Sequence, residues 1–213
     1  MPAPDPKWGY PNWITYFRSD LLTSVRNDIW PLIATQGSFG SARQFFPYIE
    51  YLSGLVFGQV GGGKLANTMS AIRFLQQYMY KVDPLYGLHA EILLEMWRHG
   101  LIHRYQPIVL KSSISSREIG WLSYFGKRAN SKEEHPPGKW IEVSHLTPWP
   151  DPANKLDLFP VCIPKLVADL EKVIKIIATE LVAEQAIRSP NLLPKMQDAA
   201  TFLATPKTVK VSW

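Results

Sequence analysis

The sequence predicts a mainly α fold: a helical bundle carrying a small antiparallel β element inserted before the C-terminal helices, in a single domain over residues 1–213. Three observations predict it. Apolar residues recur at helical intervals in four segments before Gly100. After Tyr105 the texture changes to short runs rich in β-branched and aromatic residues, broken by polar, Pro and Gly positions. Helical spacing then returns beyond Pro164. A chain of 213 residues is long enough to bury its own core.

Following a Pro-rich lead, Asn12 is placed to cap a first helix with apolar residues Ile14, Phe17, Leu21, Val25 and Ile29, which Pro31 ends or kinks. A second helix is expected over 40–57, with Phe45, Ile49, Leu52 and Val56 on one side and Pro47 tolerable in its first turns. A glycine loop follows. The third helix, 66–82, is built round Met69, Ile72, Leu75, Gln76 and Met79, and Asp83-Pro84 marks its end. The fourth, 85–99, is apolar through Leu88, Ile92, Leu93 and Met96. Four helices with short connectors imply a bundle.

Pro107 to Leu110, Ile119 to Phe125, Trp140 to Leu146 and Leu156 to Ile163 read as strands of an antiparallel sheet, a β-rich insertion over 107–163. The charges and paired prolines of Ser131 to Pro137 mark a hairpin tip. A C-terminal helical segment, 164–204, begins with Leu166, Leu170, Val173, Ile177 and Leu181, which would complete the bundle, and ends in a short helix near 191–204.

Composition narrows the setting. A net charge of +5 and a pI near 9.2 permit nucleic-acid binding without demonstrating it, because the basic residues are scattered. Cys162 is the one cysteine, so the chain forms no internal disulfide and suits a reducing compartment. The opening Met-Pro-Ala-Pro-Asp-Pro-Lys lacks the form of a signal peptide, and no long apolar run suggests a membrane span; a cytoplasmic protein is expected. The eight tryptophans read as packing residues, since no aromatic cluster alternates tightly with Lys or Arg.

The chemistry concentrates in Arg98-His99-Gly100-Leu101-Ile102-His103-Arg104-Tyr105, at the end of the fourth helix. Arginine stays charged and offers a planar fork matched to phosphate oxygens, while histidine exchanges a proton near pH 7. On an uninterrupted helix five residues turn the chain about 500°, which points Arg98 and His103 about 140° apart. A left-handed Gly100 would break the helix and re-aim His103. The same residues also suit a plain helix C-terminus, with Gly100 at C′ and Arg98 and His99 at the negative end of the dipole. Glu95, one turn before Arg98 and His99, is placed to pair with either, or to sit as a solvated surface charge.

The string Arg-x4-His-x-Tyr resembles the signature of HEPN domains, small helical domains found in many prokaryotic RNases and toxins. Those motifs usually carry Asn after the arginine; His99 keeps the polarity but not the identity. The resemblance implies a homodimer in which two motifs meet across a two-fold axis and form one composite cleft. It implies a metal-independent endoribonuclease of the toxin or phage-defence kind, using the RNA 2′-OH as nucleophile, with no cofactor and no metal. His103 would be the acid/base residue, Arg98 the phosphate clamp and Tyr105 an orienting group, with Glu95, His99 and Arg104 in support. Such proteins are often neutralised by a small nucleotidyltransferase antitoxin that modifies the motif tyrosine, here Tyr105. The alternative reading is a catalytically silent HEPN-like module that binds nucleotide or RNA or mediates assembly.

Other motifs are weaker. Gly58 to Lys64 has the Gly-x4-Gly-Lys spacing of a P-loop, but Leu65 stands where Ser or Thr is needed and the preceding segment reads as helix; a linker is the simpler reading, with a backbone anion site still open. His89-Ala-Glu91 echoes zinc deaminases, whose paired cysteines a one-cysteine chain cannot supply. His135 and His145 default to surface or structural roles, and Cys162 to the core.

Overall fold

A computed structural model describes residues 4–35, 37–58, 63–101, 106–126, 130–134, 140–151 and 156–205. The chain is mostly helical with a small four-stranded sheet, as the periodicities predict. The helices are α1 (Tyr10–Thr15), a π-helical turn Tyr16–Leu21, α2 (Leu22–Ala34), α3 (Ser38–Phe57), α4 (Gly63–Gln77), a 3-10 turn Met79–Lys81, α5 (Leu85–Leu88), α6 (Ala90–Ile92), a π-helical segment Leu93–His99, α7 (Ile163–Ile187) and α8 (Leu192–Ala204). The strands are β1 (Leu110–Lys111), β2 (Glu118–Tyr124), β3 (Asn130–Glu134), β4 (Trp140–Ser144), β5 (Trp149–Asp151) and β6 (Leu156–Cys162).

In the first helical run Trp13, Phe17, Leu21, Val25 and Ile29 are all buried, each four residues from the last. Steps of four drift off the face of an ideal helix by about 40° each. The wider π-helical turn in the middle absorbs part of that drift and keeps one stripe on the core. Two sequence expectations change here. Asn12 lies inside α1, because Gly9 precedes the helix and Pro11, with its fixed φ, occupies the first turn. Pro31 neither ends nor stops α2: the helix runs to Ala34, with the Thr35 N–H closing onto the Pro31 carbonyl, and the missing bond falls at exposed Asn27, where water can replace it.

The sheet is mixed, not antiparallel. Its order is β1-β2-β6-β5, with β2 and β6 parallel and the outer pairs antiparallel, while β3 and β4 form a separate antiparallel ladder. The antiparallel expectation assumed that successive strands pair. Instead β6 takes the centre because Leu158, Phe159, Val161 and Cys162 bury both of its faces, the usual position of a parallel strand. Residues 131–134 of the expected hairpin tip lie in strand β3; the remainder, 135–137, lies outside the described residues, as does His135.

Part of the sheet shares the main core with the helices, while Tyr124, Val143, Leu158 and Cys162 form a smaller second cluster. Leu146, Phe159 and Val161 join the buried cluster built from α1 to α4 and α7, so the β-rich segment docks on the bundle. α7 is its axis, with Leu166, Leu170, Val173, Ile177 and Leu181 buried as the spacing predicts. The helical stretch 85–99 lies between: Trp97, together with Phe39 of α3, packs edge-on against Trp121 of β2, and His89 against Phe159 of β6. Among the described residues no helix is long and apolar enough to cross a membrane.

Candidate functional site

Arg98 and His99 close the π-helical segment Leu93–His99, in which Leu93, Leu94, Met96, Trp97 and Arg98 are buried. Gly100 does not break the helix. Its φ of −60° and ψ of −52° are right-handed, and helix continues through Leu101. The glycine is needed for closeness: a Cβ there would lie 2.5 Å from the Gln106 carbonyl oxygen, 2.7 Å from Pro107 Cα and 2.8 Å from the Ile108 nitrogen. The returning chain presses its backbone onto Gly100, and the Ile108 N–H donates to the Met96 carbonyl at 3.0 Å. The two ends of the motif stretch are therefore pinned together at the base.

Arg98 turns inward. Its side chain is 8 % exposed and its Nε donates to Oε1 of Glu50 on α3, a carboxylate 26 % exposed. The Nη1 donor is buried with no hydrogen-bond partner among the described residues. His99 pairs with the other carboxylate, its Nδ1 lying 3.0 Å from Oε2 of Glu95 one turn earlier. Of the two pairings open to Glu95, the structure thus has the one with His99. His103, Arg104 and Tyr105 lie outside the described residues, so of the sequence-derived set Arg98, His99 and Glu95 are brought together here. Glu50 was not legible: it is 48 residues from Arg98 and no local pattern marks it.

A second polar cluster sits at the start of the same stretch. The Cys162 backbone N–H donates to His145 Nδ1 at 3.0 Å, His145 Nε2 lies 3.1 Å from the Tyr86 hydroxyl, and that hydroxyl donates to Asp169 Oδ2 at 3.1 Å. Because Nδ1 accepts, a neutral His145 carries its proton on Nε2 and every link then has one donor and one acceptor. Burial, with Lys165 nearby, pushes the His145 pKa down to about 3, which keeps the ring neutral. Asp169, fully buried, also accepts from Lys165 and Lys172, and Lys165 reaches Asp83. Burial, then the Asp169 charge, raises the Tyr86 phenol well above its ordinary value. Lys165, Asp169 and Lys172 do form a readable i, i+4, i+7 pattern in the sequence.

The weaker motifs resolve simply. Gly58 caps α3 in a left-handed conformation with φ +67°, so the P-loop-like stretch follows a helix, not a strand; residues 59–62 lie outside the described residues. His89 is half-buried, which lowers its pKa, and packs on Phe159. Cys162 is buried. No family model, curated protein or solved structure matches this chain.

Proposed function

We propose that the chain is a HEPN-like domain acting on RNA as a metal-independent endoribonuclease of the toxin or phage-defence kind. It works as a cytoplasmic homodimer, with a nucleotidyltransferase antitoxin as a further partner. The observation that carries this reading is the end of the motif helix. There a buried guanidinium with a donor unfilled among the described residues stands beside an imidazole held by a carboxylate, next in sequence to the stretch bearing His103 and Tyr105. In that scheme Arg98 stabilises charge at the phosphate, and His103 handles the proton of the attacking 2′-OH or of the departing 5′-oxygen. Tyr105 orients the substrate, and His99, with Glu95, and Arg104 support them.

The test is cleavage of single-stranded RNA by the full chain. Wild type should give products ending in a 2′,3′-cyclic phosphate at a rate indifferent to EDTA, DNA should resist, and Arg98→Ala and His103→Ala should each abolish cleavage. Intact wild type with no cleavage above background on several RNAs would remove the enzymatic reading. A second reading has its own support: the depth of Arg98 and its pairing with Glu50 suit a silent RNA-binding or assembly module. That version keeps RNA binding without turnover.

A further inference from the structure

We infer that Glu50 is a positioning residue for Arg98: its carboxylate holds the Nε edge of the guanidinium so that the remaining edge is presented, pre-oriented, to a phosphodiester oxygen. The inference rests on the functional reading above for its ligand, and on geometry for the rest. Glu50 lies on α3, a different helix from the motif's own helical segment, so the contact ties two elements together at the motif. The guanidinium is more than nine-tenths buried, with one donor unfilled among the described residues. A buried donor without a partner is unfavourable, and a buried arginine facing one carboxylate through Nε has part of its fork committed and part available. An anionic oxygen is the acceptor that completes the set.

Reach and charge make opposite forecasts, which is what makes the role testable. Removing the Glu50 charge strengthens the field felt by a polyanion, so charge alone says that Glu50→Gln tightens RNA binding and Glu50→Asp leaves it unchanged. Positioning says that what matters is an oxygen at the end of a side chain of this length. Gln keeps that acceptor; Asp keeps the charge but withdraws the oxygen by one methylene.

The experiment uses the full chain and a fluorescently labelled, 2′-O-methylated oligouridine, which binds without being cleaved. Wild type and Glu50→Gln are expected to bind within about threefold of one another, or Glu50→Gln more tightly, while Glu50→Asp binds at least about tenfold more weakly, a difference of the size expected for losing one oriented charge-assisted contact. Arginine side-chain NMR supplies a readout independent of RNA. The Nε–H signal of Arg98, assigned by its loss in Arg98→Lys, should exchange slowly with water in wild type and in Glu50→Gln, and rapidly in Glu50→Asp. Binding by Glu50→Asp less than about tenfold weaker than that of wild type, with both folded, overturns the positioning role. If wild type and Arg98→Ala alike fail to bind the oligonucleotide, the RNA reading falls by itself. Glu50 is then judged on the Nε–H exchange alone: the stated order supports positioning, and equal exchange in both variants overturns it.

Discussion

One helical stretch, 85–99, carries a polar cluster at each end, and the two differ in how completely they are satisfied. At its start, Tyr86, His145, Asp169 and Lys165 form a chain in which each buried donor named has an acceptor. At its end, among the described residues, Arg98 has a single carboxylate and an unfilled Nη1, and the neighbouring Trp97 indole N–H is also buried without a hydrogen-bond partner. Buried polar groups that are fully paired fix a packing arrangement, whereas incomplete ones hold back stability and leave valences for something else. By that criterion the first cluster fastens the β-rich segment to the bundle, and the second is the one left with an incomplete set of partners.

The largest effect should come from breaking the complete cluster. Asp169→Ala strips the Tyr86 hydroxyl and two lysines of their shared acceptor in a site with no exposure. Lys172 can turn to water and Lys165 retains Asp83, so the loss should be near the lower end for a broken buried ion pair, about 3 kcal/mol. Chemical denaturation reads this directly. A loss below about 1 kcal/mol would mean that the cluster is not the fastening described.

How much of this was legible in the sequence follows the same division. The first helix, the second and α7 show the buried stripes that periodicity predicts, and α7 and α8 lie within a few residues of their expected limits, whereas Met69, Gln76 and Leu88, expected on the apolar faces of the third and fourth helices, are exposed. The pairing of β2 with β6 was not legible, since which strands become neighbours depends on β6 burying both faces, a tertiary outcome. The left-handed helix break expected at Gly100 is absent, and what requires glycine there is the backbone of 106–108 pressed against it, which no local rule encodes. In the candidate site, Arg98, His99 and Glu95 were readable from spacing on one helix. Glu50 and the Tyr86–His145 link join elements far apart in sequence and emerge only on folding.

Acid should separate the clusters next. His145 titrates at about 3 when folded and at an ordinary 6.5 when unfolded, so below 6.5 the unfolded chain binds the extra proton. Its contribution is complete above pH 6.5 and is lost as pH falls toward 3, by up to about 1.4 kcal/mol per pH unit. Protonation would also set a donor on Nδ1 against the Cys162 N–H, alongside Lys165, Asp169, Asp83 and Tyr86 as the facing groups. Wild type should therefore lose about 2 kcal/mol more than His145→Gln between pH 7.5 and pH 5. Equal losses in the two proteins would detach the pH response from His145.

The smallest change in stability should come from the incomplete cluster, and it is the sharpest use of the comparison. In Arg98→Met with Glu50→Gln the buried charge is gone and the unfilled donor goes with it. Methionine is unbranched and fills the space of an arginine stem, and the glutamine, partly exposed as Glu50 is, can take its hydrogen bonds from water. Replacing a poorly completed buried ion pair in this way is commonly neutral or stabilising, so the double variant should lie within about 1 kcal/mol of wild type, or above it. Arg98→Met alone, which leaves Glu50 facing an apolar side chain, should be the less stable of the two. Binding of the 2′-O-methylated oligouridine should vanish in both. A double variant that unfolds as readily as Asp169→Ala would place the Arg98–Glu50 pair among the fastenings of the fold. Stability retained with binding lost is the signature of a charge kept in the core for a ligand.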